Sequence, residues 1–116
     1  MPEYMLLLYD DPAEWRRLSP EEIQKAIEKY VAWGRRLREA GLLVGSEKLR
    51  DEPGKVIRIR GGRMHVTDGP YAETKEVLGG YYTIVADSYA EAIERCRDHP
   101  HFEYGGTIEV REIEKL

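Results

Sequence analysis

The stretch Tyr4-Met5-Leu6-Leu7-Leu8-Tyr9, followed by Asp10-Asp11-Pro12 and then by Ser19-Pro20-Glu21-Glu22, decides the fold of this chain. The first six residues form a short apolar run that ends in turn residues, which predicts a buried strand. Ser19 can cap a helix, Pro20 suits its first turn, and Glu22 completes a capping box. A strand followed closely by a capped helix indicates the start of a strand–helix–strand unit.

The helix that begins after Ser19 has one apolar face. Its members recur at helical spacing and are Ile23, Ala26, Ile27, Tyr30, Trp33, Leu37 and Ala40. Gly41 suits a left-handed C-terminal cap, so the helix is expected to end there. Residues 42–49 are then predicted to form the second strand.

The second half of the chain repeats this plan. Residues 80–86 are apolar and aromatic and predict a strand, and residues 107–113 are rich in branched side chains and predict another. Between them, Ser88 and Glu91 have the spacing of a capping box, and Pro100 closes a short helix.

A β-hairpin is predicted between the two units. Residues 56–60 and 63–67 flank Gly61-Gly62, a pair that readily adopts the positive φ angles of a two-residue turn. The expected facing pairs are Ile57–Val66, Arg58–His65, Ile59–Met64 and Arg60–Arg63. One side of this hairpin is therefore apolar, and the other is polar and expected to be solvated.

Two strand–helix–strand units around a hairpin predict an α+β protein, a ferredoxin-like βαβ-βαβ sandwich with an inserted β-hairpin, in a single domain over residues 1–116. Both helices of such a fold cover one face of the sheet. The first strand is apolar on both faces, since Met5 and Leu7 alternate with Leu6 and Leu8. A second copy is the economical cover for the remaining face, so we expect a homodimer with the sheets face to face.

The composition excludes several functions. A net charge of −4 over 116 residues argues against direct binding of nucleic acid, which requires a basic surface. The start of the chain lacks a basic segment, and its apolar run is too short for an export signal or a membrane span. With Cys96 as the single cysteine, a reducing cytoplasmic location is expected. The absence of Asn, together with only one Gln, suggests a heat-adapted source.

The segment Asp68-Gly69-Pro70-Tyr71-Ala72-Glu73-Thr74-Lys75-Glu76 follows the hairpin and has the composition of a functional loop. Asp-Gly-Pro is turn chemistry, and three charged residues are then crowded together. Loops held by a rigid scaffold commonly carry functional groups. The alternative is that Asp68 caps its own turn and the charges are solvated.

This segment, the following Leu78-Gly79-Gly80-Tyr81-Tyr82 and the late Gly105-Gly106-Thr107-Ile108-Glu109-Val110-Arg111 resemble the DGPF-signature subgroup of the YCII-related family. Tyr71 stands where Phe is usual in the signature. The resemblance extends over almost the whole chain. It implies a dimeric α+β barrel, in agreement with the two apolar faces of the predicted sheet.

The resemblance implies less about chemistry. Many YCII-like proteins have no assigned activity, and a few are linked to small-molecule reactions such as dehydrochlorination of a chlorinated hydroquinone. Other members of the subgroup occur near extracytoplasmic-function sigma factors of bacteria, which implies a sensory or regulatory role. Shorter YciI-type members pair a His early in the first helix with an Asp. Residues 19–41 contain no His here, so that dyad cannot be carried over.

Asp68 and His101 are the predicted catalytic residues. Asp68 belongs to the signature, and Pro100-His101-Phe102 resembles the Pro-His-Leu found after the second helix in many subgroup members. A histidine suits proton transfer near neutral pH, and Asp68 would act as a base or an orienting carboxylate. The predicted substrate-binding residues are Tyr71, Glu73, Lys75 and Tyr82, with Glu73 and Lys75 as an ion pair that holds the loop.

The remaining reactive side chains are assigned structural roles. His65 is expected at the surface of the hairpin, and His99 at a helix end, where the helix dipole favours a cation. Cys96 lies on the inward face of the second helix and is expected in the core. His99, His101, Asp68 and Glu73 lack the spacing of a metal motif, so neither a metal nor another cofactor is predicted.

Three functions remain open from the sequence. The first is an enzyme that acts on a small, cyclic or aromatic metabolite by general acid–base catalysis without a cofactor. The second is a ligand-binding or regulatory module linked to a sigma factor. In the third, the signature is a structural staple that fixes the hairpin on the dimer.

Overall fold

The computed structural model of the chain describes residues 1–69 and 76–116. The elements in chain order are β1 (Glu3–Asp10), α1 (Pro12–Arg16), α2 (Pro20–Glu39), β2 (Leu43–Lys48), β3 (Lys55–Arg60), β4 (Arg63–Asp68), β5 (Val77–Val85), α3 (Tyr89–Cys96), a 3-10 helix (Pro100–Tyr104) and β6 (Thr107–Glu112). None of the helices in these ranges is long and apolar enough to cross a membrane.

The main sheet has four strands in the order β2-β5-β1-β6, and all neighbouring strands are antiparallel. The connections through α2 and α3 give this sheet the ferredoxin-like arrangement. The predicted α+β fold with an inserted hairpin is therefore confirmed. The first apolar run of the chain is a central strand, which explains why both of its faces avoid charge.

The core lies between one face of the sheet and the two longer helices. Leu6 and Ile84 of the central strands are fully buried there, against Trp33 of α2 and Ala92 and Cys96 of α3. Cys96 thus lies in the core, as predicted. The alternate residues of β1 lie on the opposite face, which we call the open face, and these are only half-buried.

The caps of the two longer helices differ. At α2, the Ser19 hydroxyl accepts from the Glu22 N–H (3.1 Å), and the Glu22 carboxylate accepts from the Ser19 N–H (2.9 Å), so the predicted capping box is confirmed. At α3, Ser88 caps the Glu91 N–H as expected, but the Glu91 carboxylate accepts from the N–H of Asp87 instead of Ser88. The reciprocal bond to the Ser88 N–H is therefore missing, and the prediction of a second capping box, at α3, was wrong. The same carboxylate also accepts from Arg95, the residue one turn further along the helix.

The hairpin has the predicted register, and all four expected facing pairs are present. Gly61 and Gly62 have φ angles of +58° and +74°, as a two-residue turn of this kind requires. The strand predicted at residues 80–86 instead begins at Val77 and ends at Val85. It starts earlier because Val77 and Leu78 pair with the end of β1 across a bulge.

Candidate functional site

A cleft of about 1010 Å³ lies at the carboxyl end of β1. It is bounded by that strand end, by α1, by the connection from β2 to β3 and by the start of β5. The described residues that line it are Tyr9, Asp10, Pro12, Trp15, Arg16, Ile23, Leu49, Arg50, Asp51, Glu52, Pro53, Gly54, Lys55, Glu76, Val77, Leu78 and Gly79. Apolar side chains and both signs of charge are therefore present together.

Asp10 is the carboxylate that the fold places deepest in this cleft. It is the last residue of β1 and is half-buried. Burial raises the pKa of Asp10 above that of a solvated aspartate, and the nearby Trp15 indole and His101 only partly offset this effect. A carboxyl group with a raised pKa in a cleft is suited to accept and return a proton.

Trp15 connects the cleft to the aromatic interior. Its indole N–H is buried, and no group in residues 1–69 and 76–116 meets ordinary hydrogen-bond geometry with it, although the indole lies close enough to lower the pKa of Asp10. The Trp15 ring stacks on Tyr104, with centroids 5.2 Å apart, and meets Tyr30 edge-on at 6.1 Å. The indole is thus held in place by packing on the side away from the cleft.

His101 is buried behind the cleft, with 2% of its surface exposed. Its Nε2 lies 2.7 Å from the backbone carbonyl of Tyr9, which can only accept, so Nε2 carries the proton. Nδ1 must then accept, and the Tyr30 hydroxyl donates to it across 2.6 Å. Burial lowers the pKa of His101, in keeping with a neutral ring whose two nitrogens are both bonded.

Two glycines make room for this histidine. Gly105 ends the 3-10 helix with a φ of +76°, a left-handed conformation that favours glycine. A Cβ on Gly106 would lie only 2.2 Å from Nε2 of His101, which no side chain could tolerate. The Gly-Gly pair that contributed to the family resemblance therefore has a packing role beside His101.

His99 is equally buried, and its side chain makes one hydrogen bond within the described residues. Its Nδ1 accepts from the backbone N–H of His101 (3.0 Å), while its buried Nε2 has no partner among the residues that the structure describes. Rings of Trp33, Tyr82 and Tyr30 surround it, with centroids 4.4, 5.2 and 5.3 Å away. Burial lowers the pKa of His99 to about 3, so the ring is neutral at physiological pH. A helix dipole favours a cation at this position, but desolvation outweighs that effect here.

Asp68 lies in a different environment. It is the last residue of β4, its side chain is 76% exposed, and its Oδ1 lies 2.6 Å from Nζ of Lys55. The hydrogen bond and charge of Lys55 lower the pKa of Asp68. The structure brings Asp68 to Lys55, which lines the cleft, and brings His101 to Tyr30 and Tyr9. It does not bond the two predicted catalytic residues to each other.

Of the predicted substrate-binding residues, Tyr82 lies in the described part of the chain. Tyr82 lies in the core on the helix side of the sheet, 8% exposed, where burial raises its pKa to about 12. It is not among the described residues that line the cleft. Tyr71, Glu73 and Lys75 lie outside the described residues. In residues 1–69 and 76–116, no group of three or more His, Cys, Asp or Glu side chains is placed to hold a metal ion.

Sequence reasoning missed Asp10, Trp15 and Tyr30 as site residues. Asp10 was interpreted as part of a turn, although a carboxylate directly after a buried strand is a recognisable position for a functional group. Trp15 lies in a short helical turn without periodicity, and Tyr30 was interpreted as one member of an apolar face. Their association depends on contacts across the fold.

Comparisons with known proteins bear on the family of the chain. The model of the YCII-related domain matches residues 2–116. A curated protein of Rhizobium meliloti (strain 1021), described as uncharacterized, is 34% identical over 112 residues, which cover 95% of this chain and 90% of that protein. The chain belongs to the YCII-related domain family.

Proposed function

We propose that the protein binds a small cyclic or aromatic metabolite in the cleft at the end of β1, and that Asp10 transfers protons there without a cofactor. The observation that carries this proposal is the half-buried carboxyl group of Asp10, whose pKa is raised by burial inside a cleft of about 1010 Å³. General acid–base catalysis needs a group that exchanges protons readily within reach of the substrate.

The lining of the cleft supports a flat, partly polar ligand. Trp15 and Leu49 offer apolar surface for a ring, and Trp15 is braced by its stacking on Tyr104. Arg16 and Lys55 supply positive charge for an acidic or phenolic substituent. Small-molecule sites commonly combine apolar walls with a few convergent polar groups.

The two predicted catalytic residues, Asp68 and His101, contribute to this proposal by holding other groups of the cleft in place. Asp68 holds the Lys55 ammonium at 2.6 Å, and Lys55 lines the cleft, so Asp68 acts as a positioning residue for that charge. His101 holds the carbonyl of Tyr9, the residue before Asp10. It thereby fixes the strand end from which the Asp10 carboxyl extends.

The test combines binding and turnover. The purified protein is incubated with a panel of hydroxylated aromatic and cyclic carbonyl compounds. Binding is followed by calorimetry and conversion by mass spectrometry. We expect Asp10→Asn to retain binding within a few-fold but to lose turnover by about 100-fold or more, because the amide cannot exchange a proton.

Asp51→Asn is the matched control, since it removes the same charge from the rim of the same cleft while Asp51 pairs with the exposed Lys48. Unchanged turnover in Asp10→Asn would refute the acid–base role. A compound that binds tightly and is recovered intact would instead favour the ligand-binding alternative. A pull-down that then recovers a sigma factor in a ligand-dependent way would identify that alternative as regulatory.

A further inference from the structure

Trp15 carries a buried hydrogen-bond donor that the packing around it does not use. Its indole N–H is shielded from water, and no acceptor in the described part of the chain meets ordinary hydrogen-bond geometry with it. Buried donors are nearly always bonded in folded proteins, because an unpaired donor loses its bond to water without compensation. The other indole of the chain follows this rule, since Trp33 donates to Oδ1 of Asp98 across 3.1 Å. A donor left unpaired beside a cleft indicates a partner that it binds in another state of the site.

The start of α1 brings this indole back to Asp10. Asp11 caps the helix by accepting from the N–H of Ala13 (2.9 Å), and Pro12 occupies the first helical position. The chain therefore turns directly after β1, and Trp15 and Asp10 line the same cleft. Burial raises the pKa of the Asp10 carboxyl group, and the indole lies close enough to lower it again. The local sequence of α1 thus places a donor beside an acceptor.

Packing holds the indole in this position and leaves space beside the carboxyl group. The Trp15 ring stacks on Tyr104, with centroids 5.2 Å apart, and Tyr30 meets it edge-on at 6.1 Å. These contacts hinder rotation of the ring, so the N–H cannot simply turn into water. A Cβ on Gly79 would lie 3.5 Å from Oδ2 of Asp10, so a longer side chain there would occupy the space next to the carboxyl group. Glycine at this position keeps that space open for a ligand.

The charged groups around Asp10 come from several parts of the chain. His101 of the 3-10 helix lies behind it and is neutral, since both ring nitrogens are bonded. Lys48 and Asp51 pair with each other at 3.0 Å and shift the pKa of Asp10 in opposite directions. The other charged residues that line the cleft are Arg16, Arg50, Glu52, Lys55 and Glu76. Burial raises the pKa of Asp10 most, and among the neighbours that lower it the Trp15 indole has the largest effect.

We propose that Trp15 is a positioning residue of this site, whose indole N–H donates to the ionised Asp10 carboxylate and holds it ready to take a proton from the bound ligand. The inference rests on the proposed function of the cleft and specifies its first step. A C–H bond beside a carbonyl group, or a phenolic O–H bond, breaks and its proton passes to Asp10. The electron pair of that bond stays on the ligand, as an enolate or a phenolate. The ligands are therefore cyclic or aromatic compounds that release a proton, rather than compounds that must first receive one.

The first experiment follows the indole by NMR and needs no ligand. Protein that is isotope-labelled at tryptophan gives two indole N–H signals, from Trp15 and Trp33. We expect the Trp15 signal to shift downfield between pH 4 and pH 8 as Asp10 ionises, because a hydrogen bond to a charged acceptor is the stronger one. The shift should be lost in Asp10→Asn. Asp51→Asn, which removes a carboxylate from the rim of the same cleft, should retain it.

The second experiment removes the donor itself. Trp15→Phe keeps an aromatic ring against Tyr104 but has no N–H. With a compound that the protein converts, we expect the acid limb of kcat/KM to move to higher pH by about one unit, because Asp10 loses the bond that favours its ionised form. Trp33→Phe is the matched control, since it removes the indole N–H that donates to Asp98, and its acid limb should stay in place. If Trp15→Phe does not fold, the NMR comparison with Asp10→Asn still decides the proposal.

Three results would overturn the inference. The first is a Trp15 signal that does not change with pH, and the second is a shift that persists in Asp10→Asn. The third is a kcat/KM that falls with rising pH as the Trp15 signal titrates, because Asp10 would then give a proton first. A shift that Asp10→Asn abolishes, without binding or conversion of any compound, would support the pair of Trp15 and Asp10 but contradict the metabolite proposal.

Discussion

His101 and Asp68, the two residues that the sequence paired as a catalytic couple, lie in opposite environments. His101 is 2% exposed, and both of its ring nitrogens are bonded to groups of its own chain. Asp68 is largely in water and makes one exposed ion pair with Lys55. A buried polar group whose bonds are all made contributes to stability, because losing any of its partners leaves an unpaired group without water. An exposed ion pair contributes little.

The difference shows that two residues of one family resemblance can lie in very different surroundings. Gly106 and His101 pack directly against each other, and the missing side chain of Gly106 leaves room for the His101 ring. Asp10, which lies outside the signature, is the carboxyl group whose pKa is raised by burial. Three changes, described from the largest expected effect to the smallest, test this contrast.

The largest effect is expected at Gly106. In Gly106→Ala the new methyl group would meet the His101 ring at 2.2 to 2.5 Å, so the ring must leave its position and release Tyr9 and Tyr30. We expect the free energy of unfolding to fall by about 3 kcal/mol or more. Urea denaturation measures this. Gly45→Ala is the control, since a Cβ there meets nothing within 4 Å; equal stability of the two variants would contradict a tightly packed His101.

A smaller effect is expected from pH. His99 has a pKa of about 3 in the folded chain against 6.5 for a free histidine, so the unfolded chain binds the additional proton. The stability it contributes is complete above pH 6.5 and is lost as pH falls from 6.5 towards 3. His101 adds to this trend, because burial lowers its pKa too.

Chemical denaturation at pH 7, 6, 5 and 4 should therefore show a decline of at most about 1.4 kcal/mol per pH unit for each buried histidine. His99→Asn, which keeps a hydrogen-bond acceptor near the His101 N–H, should flatten the profile. His65→Asn, at the exposed position opposite Arg58, should leave it unchanged. Identical profiles for His99→Asn and the parent would show that His99 is not buried in its neutral form.

The smallest effect is expected at Asp68. Asp68→Asn removes the ion pair with Lys55, but both side chains are mostly exposed, so the melting temperature at pH 7 should stay close to that of the parent. Lys55 lowers the pKa of Asp68, so the small contribution is present above pH 3.8 and disappears as pH falls through the lowered pKa. Lys55→Gln should reproduce the result. A large loss of stability would instead support the structural-staple alternative.

Much of the fold was predictable because its signals are local. The α2 capping box and the φ of Gly41 depend on residues within one or two helical turns. The hairpin register follows from a two-residue loop between alternating side chains. The start of β5 was predicted three residues late, because Val77 is held in the sheet by a strand from the other end of the chain.

The candidate site was predictable only in part. Lys55 binds Asp68 13 residues away, within the hairpin whose register was predicted. His101 binds Tyr30 and Tyr9, which are 71 and 92 residues away. No local pattern indicates that such residues meet, and the burial that shifts their pKa values arises only when the sheet and helices pack.

The strands, the capped helices, the hairpin and the family could be predicted from the sequence alone, since each rests on short-range sterics or on matched residues. The tertiary structure decided which ionisable groups are charged and which face water. It neutralised His99 and His101, raised the pKa of Asp10 and left Asp68 in solvent. The physical reason is that desolvation depends on all atoms around a group, and most of these come from distant parts of the chain.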